Sequence, residues 1–150
     1  MSGAEYAAVL RDLALQSGGL VELYVLGAGY EGWRRAVESL HAEAYELRIV
    51  QRESGSPADF GPELFAVPGA ADYSLSIQID NQVWTSTFPT AESIELQGDP
   101  RDIISPRDLE QVLRLMRILN SATGKRVILV SETLDPVAVT PYIIIPPNQE

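Results

Sequence analysis

Between Tyr73 and Phe88 the chain alternates in character. Leu75, Ile77 and Ile79 are interleaved with Ser74, Ser76, Gln78 and Asp80, and Trp84 and Phe88 with Val83, Thr85 and Thr87. Successive side chains of a strand point to opposite faces, so this alternation predicts a hairpin with one apolar and one wet face. Strands buried on both sides lack the pattern, which ties the segment to an antiparallel sheet with a solvated face. With Asn81-Gln82 as a two-residue loop, Asp80 pairs with Val83, Ile79 faces Trp84, Ile77 faces Ser86 and Leu75 faces Phe88. That register gathers the large apolar groups on one side. Ile94-Glu95-Leu96-Gln97 continues the pattern as a third strand before the turn at Gly98-Asp99-Pro100.

The flanking segments supply helices and further strands. Tyr6, Val9, Leu10 and Leu13 recur at helical spacing and predict a helix over residues 4–17, stopped by Gly18-Gly19. Leu20 to Leu26 is a short apolar run closed by Gly27, the pattern of a largely buried strand. Trp33, Ala36, Val37 and Leu40 form one stripe with Glu31, Arg34, Arg35 and Glu38 opposite, an amphipathic helix. Tyr45, Leu47 and Ile49 then alternate with polar residues as a strand over residues 44–52. The loop-like insert Glu53 to Pro57 follows, with a short helix broken near Gly61-Pro62.

Ser105-Pro106-Arg107-Asp108 opens a further helix, with Ser at the N-cap, Pro in the first position and a carboxylate near the positive end of the dipole. Leu109, Val112, Leu113, Met116 and Leu119 give its buried stripe, Glu110 and Arg114 a pair one turn apart, and Gly124 its end. Val127-Ile128-Leu129-Val130 reads as a central strand buried on both faces, and Tyr142 to Ile145, between Pro141 and Pro146, as a sheet edge. Residues 1–150 therefore read as one α+β domain with a mixed, mostly antiparallel sheet and packed helices.

A chain of 150 residues, 45% hydrophobic and 21% charged, is long enough to bury one core without staples. It has no cysteine, which excludes thiolate nucleophiles, Cys-ligated zinc, iron–sulfur clusters and disulfides. Neither a leader-like N-terminus nor an apolar run near the ~18 residues of a membrane span is present, so a cytoplasmic protein without membrane attachment is expected. The net charge of −10 is unevenly spread. Residues 1–41 carry five acids and three bases, residues 42–104 eleven and three, and residues 105–150 five of each. Binding to nucleic-acid phosphates needs a basic stripe, and this distribution argues against it. It suits a basic partner, or a surface charged for solubility alone.

The chemistry available to such a chain is narrow. His41, the only histidine, sits at the end of the second helix, where it complements the dipole or is simply solvated, and no catalytic residue, cofactor or metal is assigned. Gly27, Gly29 and Gly32 follow a strand and open a helix with Gly-x-Gly-x-x-Gly spacing, the context of a dinucleotide turn. Trp33 and two arginines come directly after, no ribose-binding acid is well placed, and the hairpins leave little room for a parallel sheet. A turn that lets Trp33 reach the core is the plainer reading, and a nucleotide or small-molecule site on these glycines the alternative. Glu92, Glu95, Asp99 and Asp102 cluster around the third hairpin strand and its exit turn as a candidate partner-binding face, the plainer reading being a solvated acidic surface.

Taken together, the strand and Trp-bearing helix Leu20–Leu40, Ser93 to Ile103 with the capped helix, and Arg126 to Glu132 give a layout that resembles small acidic immunity proteins of bacterial toxin systems and related single-domain proteins. The resemblance implies a module that neutralises a basic toxin by masking it with acidic and aromatic groups, for which Glu92, Glu95, Asp99 and Asp102 are the matching candidates. A homo-oligomer pairing through the Tyr142–Ile145 edge or the hairpin edge is the third expectation.

Overall fold

The computed structural model describes residues 1–16, 18–133 and 135–148. Helix α1 (Gly3–Leu15) starts at Ser2, whose hydroxyl takes the Glu5 N–H while the Glu5 carboxylate takes the Ser2 N–H. It ends ahead of Gly18-Gly19, both left-handed at φ +68° and +75°; Ser17, the last residue of the expected helix, lies outside the described residues. Strand β1 (Val21–Leu26) leads into α2 (Gly29–Ala42) and β2 (Glu46–Gln51). Strands β3 (Tyr73–Ile79), β4 (Gln82–Ser86) and β5 (Ser93–Gly98) follow, then α3 (Pro106–Thr123), β6 (Val127–Ser131) and β7 (Ile143–Ile145). The Ser105–Asp108 capping box and the left-handed Gly124 close the two ends of α3.

The strands form one sheet in the order β2-β3-β4-β5-β1-β6-β7, and every pairing is antiparallel. The expected α+β fold with a mostly antiparallel sheet is thus what the described strands form, with no parallel pair among them. The α2 connection carries the chain from β1 to the far edge, so it creates no parallel neighbour. Val21, Leu23 and Val25 of β1 share a core with Leu75, Ile77, Trp84, Ile94, Leu96 and Leu129 and with Leu13, Trp33, Leu40, Leu109 and Met116 of the helices. All three helices therefore pack on the same face. Burying each such aliphatic side chain contributes roughly 1.5–3 kcal/mol.

No described helix packs on the opposite face. It presents Glu46 and Arg48, Ser74, Ser76 and Gln78, Thr85, Glu95 and Gln97, in the registers that pair Arg48 with Ser76, Ser76 with Thr85 and Thr85 with Gln97. Towards β1 and β6 it becomes apolar, with Tyr24, Ile128 and Val130 buried beneath Val139.

Two expectations need correction. The hairpin turns at Asp80-Asn81, one residue earlier than expected, pairing Ile79 with Gln82, Ile77 with Trp84 and Leu75 with Ser86. Asp80 takes the left-handed conformation (φ +49°), and the Asn81 amide donates to the Asp102 carbonyl, which anchors the turn outside the hairpin. Partners shift by two positions, so the apolar groups stay on the helix side and Gln82 joins them, donating to the Asp108 carbonyl and accepting from the Trp84 indole. Glu110 pairs with Arg117 and accepts from the Tyr6 hydroxyl instead of meeting Arg114, which reaches Glu43 and lies over the Tyr45 ring. The short helix expected near Gly61-Pro62 is a 3-10 turn at Pro62–Phe65, which brings Phe60 and Phe65 against Tyr30, Trp33 and Phe88.

Candidate functional site

The helix-free face holds one carboxylate pair deep in the sheet. In β1, Glu22 and Tyr24 fall between Val21, Leu23 and Val25, so strand alternation turns them away from the helices. In β5, Glu95 and Gln97 do the same between Ile94, Leu96 and Gly98. Register sets Glu22 opposite Gln97 and Tyr24 opposite Glu95, which makes Glu22 and Glu95 diagonal neighbours, within reach of long side chains.

Glu22 is only 1% exposed and Glu95 part-buried. One Glu22 oxygen, Oε1, accepts from the Thr133 N–H at 2.9 Å; the other accepts from the Tyr24 hydroxyl at 3.1 Å and lies 3.5 Å from the Gln97 amide. Register sets Glu95 beside Tyr24 and diagonal to Glu22 on this face. Burial first, and then the hydrogen bond and charge of Glu22, push the Glu95 carboxyl up to about 7. Burial and the same two carboxylates push the Tyr24 hydroxyl well above the ordinary tyrosine range.

Glu22, Glu95 and Gln97 line a cavity of about 600 Å³ together with Gln16, Ser131, Glu132 and Thr133. Among its described lining residues, none is cationic. Glu95 and Gln97 also line a smaller recess of about 90 Å³ with Thr85, Thr87 and Pro89, on the side towards β4. The described residues contain no group of three or more ligating side chains placed to hold a metal ion. A concave, acidic, partly hydrogen-bonded surface of this kind can accept a hydrogen-bond-donating cation such as an ammonium or guanidinium group.

Comparison of the chain with protein-family models, curated proteins and solved structures returns no match. The site is therefore read from its own geometry.

Of the four carboxylates expected to form one face, only Glu95 belongs to it. Glu92 is exposed in the connection before β5, while Asp99 and Asp102 lie beyond its other end. Glu92 and Asp99 are about 23 Å apart along an extended chain. Asp99 caps the 3-10 turn Pro100–Asp102 and is paired with Arg101 at 2.7 Å, which holds its carboxyl below the usual range. Asp102 is part-buried there, its carbonyl engaged by Asn81.

The glycines form the turn the plainer reading describes. Gly27 and Gly29 are left-handed at φ +76° and +70°, and the Gly29 N–H, at the start of α2, is spent on the Glu92 carbonyl at 3.2 Å. A Cβ on Gly32 would lie 3.0 Å from that of Ala28 and 3.4 Å from the Thr123 methyl, so this glycine lets α2 approach α3. Trp33 reaches the core, 1% exposed, with its indole donating to the Ser93 and Thr90 carbonyls. With β1 flanked by antiparallel neighbours on both sides, no parallel βαβ unit surrounds the turn. His41 is exposed in the last turn of α2.

Glu22 and Tyr24 were not among the expected site residues. Their signal was a lone carboxylate inside the apolar run Leu20–Leu26, with a hydroxyl two residues later on the same face.

Proposed function

We propose that the chain is a binding module that takes a basic partner on the helix-free face of its sheet. The observation that carries this reading is the placement of buried Glu22 beside part-buried Glu95 in the lining of an acidic cavity of about 600 Å³, which Glu132 also lines and which has no cation among its described lining residues. A lysine or arginine side chain entering there would meet two carboxylates in a partly desolvated setting, where charge-assisted hydrogen bonds are strongest. Surrounding Ser, Thr and Gln side chains offer a polar rim. The finer form, an immunity protein covering a basic toxin, is supported by the layout resemblance and the overall charge of −10.

A titration of isotope-labelled protein with a short arginine- and lysine-rich peptide, followed by amide chemical shifts, tests the reading. Shifts confined to Glu22, Glu95, Gln97 and Thr133, and lost in Glu95→Lys, are expected. Shifts scattered over the whole surface, or unchanged by the substitution, would overturn it.

A further inference from the structure

We propose that the free edge of β2 pairs with a second copy of this chain, in an antiparallel two-fold contact centred on Leu47 that joins two sheets into one. The contact lies apart from the acidic cavity and does not depend on a basic partner.

The backbone groups along this edge carry the proposal. In β3, Ile79 closes the turn against Gln82, so Ile77 and Ile79 direct their N–H and C=O groups towards β4. The alternate residues Ser74, Ser76 and Gln78 bond Val50, Arg48 and Glu46, which leaves the N–H and C=O groups of Leu47 and Ile49 pointing out of the sheet. Two groups on this side are used within the chain. The Ile49 carbonyl accepts from the Ala58 N–H at 2.9 Å, and the Tyr45 N–H donates to the Leu40 carbonyl at 3.1 Å. The Tyr45 carbonyl, the Leu47 N–H and carbonyl and the Ile49 N–H have no partner among the described residues. Leu47 and Ile49 line a cavity of about 270 Å³ with Ala58 and Phe60, so the insert does not close over this part of the strand.

A second β2 laid antiparallel, Leu47 opposite Leu47, meets those free groups and no others. The two Leu47 residues exchange N–H and carbonyl, and each Ile49 N–H reaches the Tyr45 carbonyl of the other copy. The groups that would be left over in these pairs, the Tyr45 N–H and the Ile49 carbonyl, are the ones already spent on Leu40 and Ala58. An unrelated extended peptide would instead bring a carbonyl opposite Tyr45 and an N–H opposite Ile49 with nothing to meet. Charge selects the same occupant. Glu46 falls directly opposite Arg48 of the second copy, and Arg48 opposite its Glu46, in non-hydrogen-bonded pairs where side chains approach closest. Both side chains are exposed, and neither has an ion-pair partner among the described residues of its own chain.

Sedimentation equilibrium of the full chain from about 10 μM to about 1 mM tests the contact, a range suited to a small interface. A monomer–dimer equilibrium is expected. Arg48→Glu alone and Glu46→Arg alone each set like charges opposite one another twice, and each should weaken the dimer about tenfold or more. An equimolar mixture of the two variants restores both opposite-charge pairs and should associate as the natural chain does, which also shows that both variants fold. Should either fail to fold, isotope-filtered contacts between labelled and unlabelled natural chains decide the matter: the Glu46 and Arg48 Hα atoms of different copies are expected to meet. A monomer throughout the range, a dimer indifferent to the reversals, folded variants whose mixture shows no rescue, or contacts between copies away from Leu47 would overturn the proposal.

Discussion

Glu95 shows how one residue couples charge to folding. Its folded carboxyl holds a proton up to about 7 against an ordinary value of 4.5, so the folded chain binds more protons than the unfolded one between those two values. The stability this contributes is complete below about 4.5 and is lost as pH rises through about 7. Allowing for solvent screening at a part-exposed group, the loss is about 1–2 kcal/mol. Urea unfolding across this range should show that decline in the natural sequence and a flatter profile in Glu95→Gln. A steeper decline in the variant would contradict the assignment. Other single residues are set by space instead of charge: a Cβ on Gly98 would lie 2.8 Å from the Trp84 ring, so the strand carrying Glu95 can pass this indole only with glycine there. Phe88, 2% exposed, takes φ +53° to place its ring among Trp33, Phe60 and Phe65.

Among the elements, α3 was the most legible, because its signals are local and agree with one another. Serine, proline and aspartate in cap order, an apolar stripe and a terminal glycine all appear within one segment, and its observed capping box is reciprocal. Ser105→Ala should cost about 1 kcal/mol in thermal or chemical unfolding by leaving the Asp108 N–H without its partner. No change in midpoint would mean that the cap is solvated at no loss. The β3–β4 hairpin was legible in its faces but not in its turn. Alternation reports which side chains share a side, whereas the loop position depends on Asn81 reaching Asp102 and Gln82 reaching Asp108, both contributed by later sequence. The two sheet edges are guarded unequally. Proline flanks β7, and the bridge between Val50 and Pro57 with the Ala58 N–H on Ile49 covers part of β2. The prolines oppose the pairing expected at the β7 edge.

At the scale of the molecule, the chain places its helices on one side and its polar sheet surface on the other, and none of its described helices is long and apolar enough to cross a membrane. The proposed binding face is acidic, so a basic peptide is expected to be captured faster at low salt, with the on-rate falling as ionic strength rises past the range where the screening length reaches about 10 Å. Stopped-flow association at several salt concentrations measures this, and a salt-independent rate would remove electrostatic steering from the account. Length, lack of cysteine, the alternation of Tyr73–Phe88 and the cap signals of α3 determined an α+β chain with a half-wet sheet, since each is a property of neighbouring residues. Only the tertiary structure decided that β1 lies between β5 and β6, and so that Glu22 meets Glu95 while Glu92, Asp99 and Asp102 do not. Strand order depends on how the whole apolar surface is buried at once, and local periodicity carries no record of which distant strand becomes the neighbour.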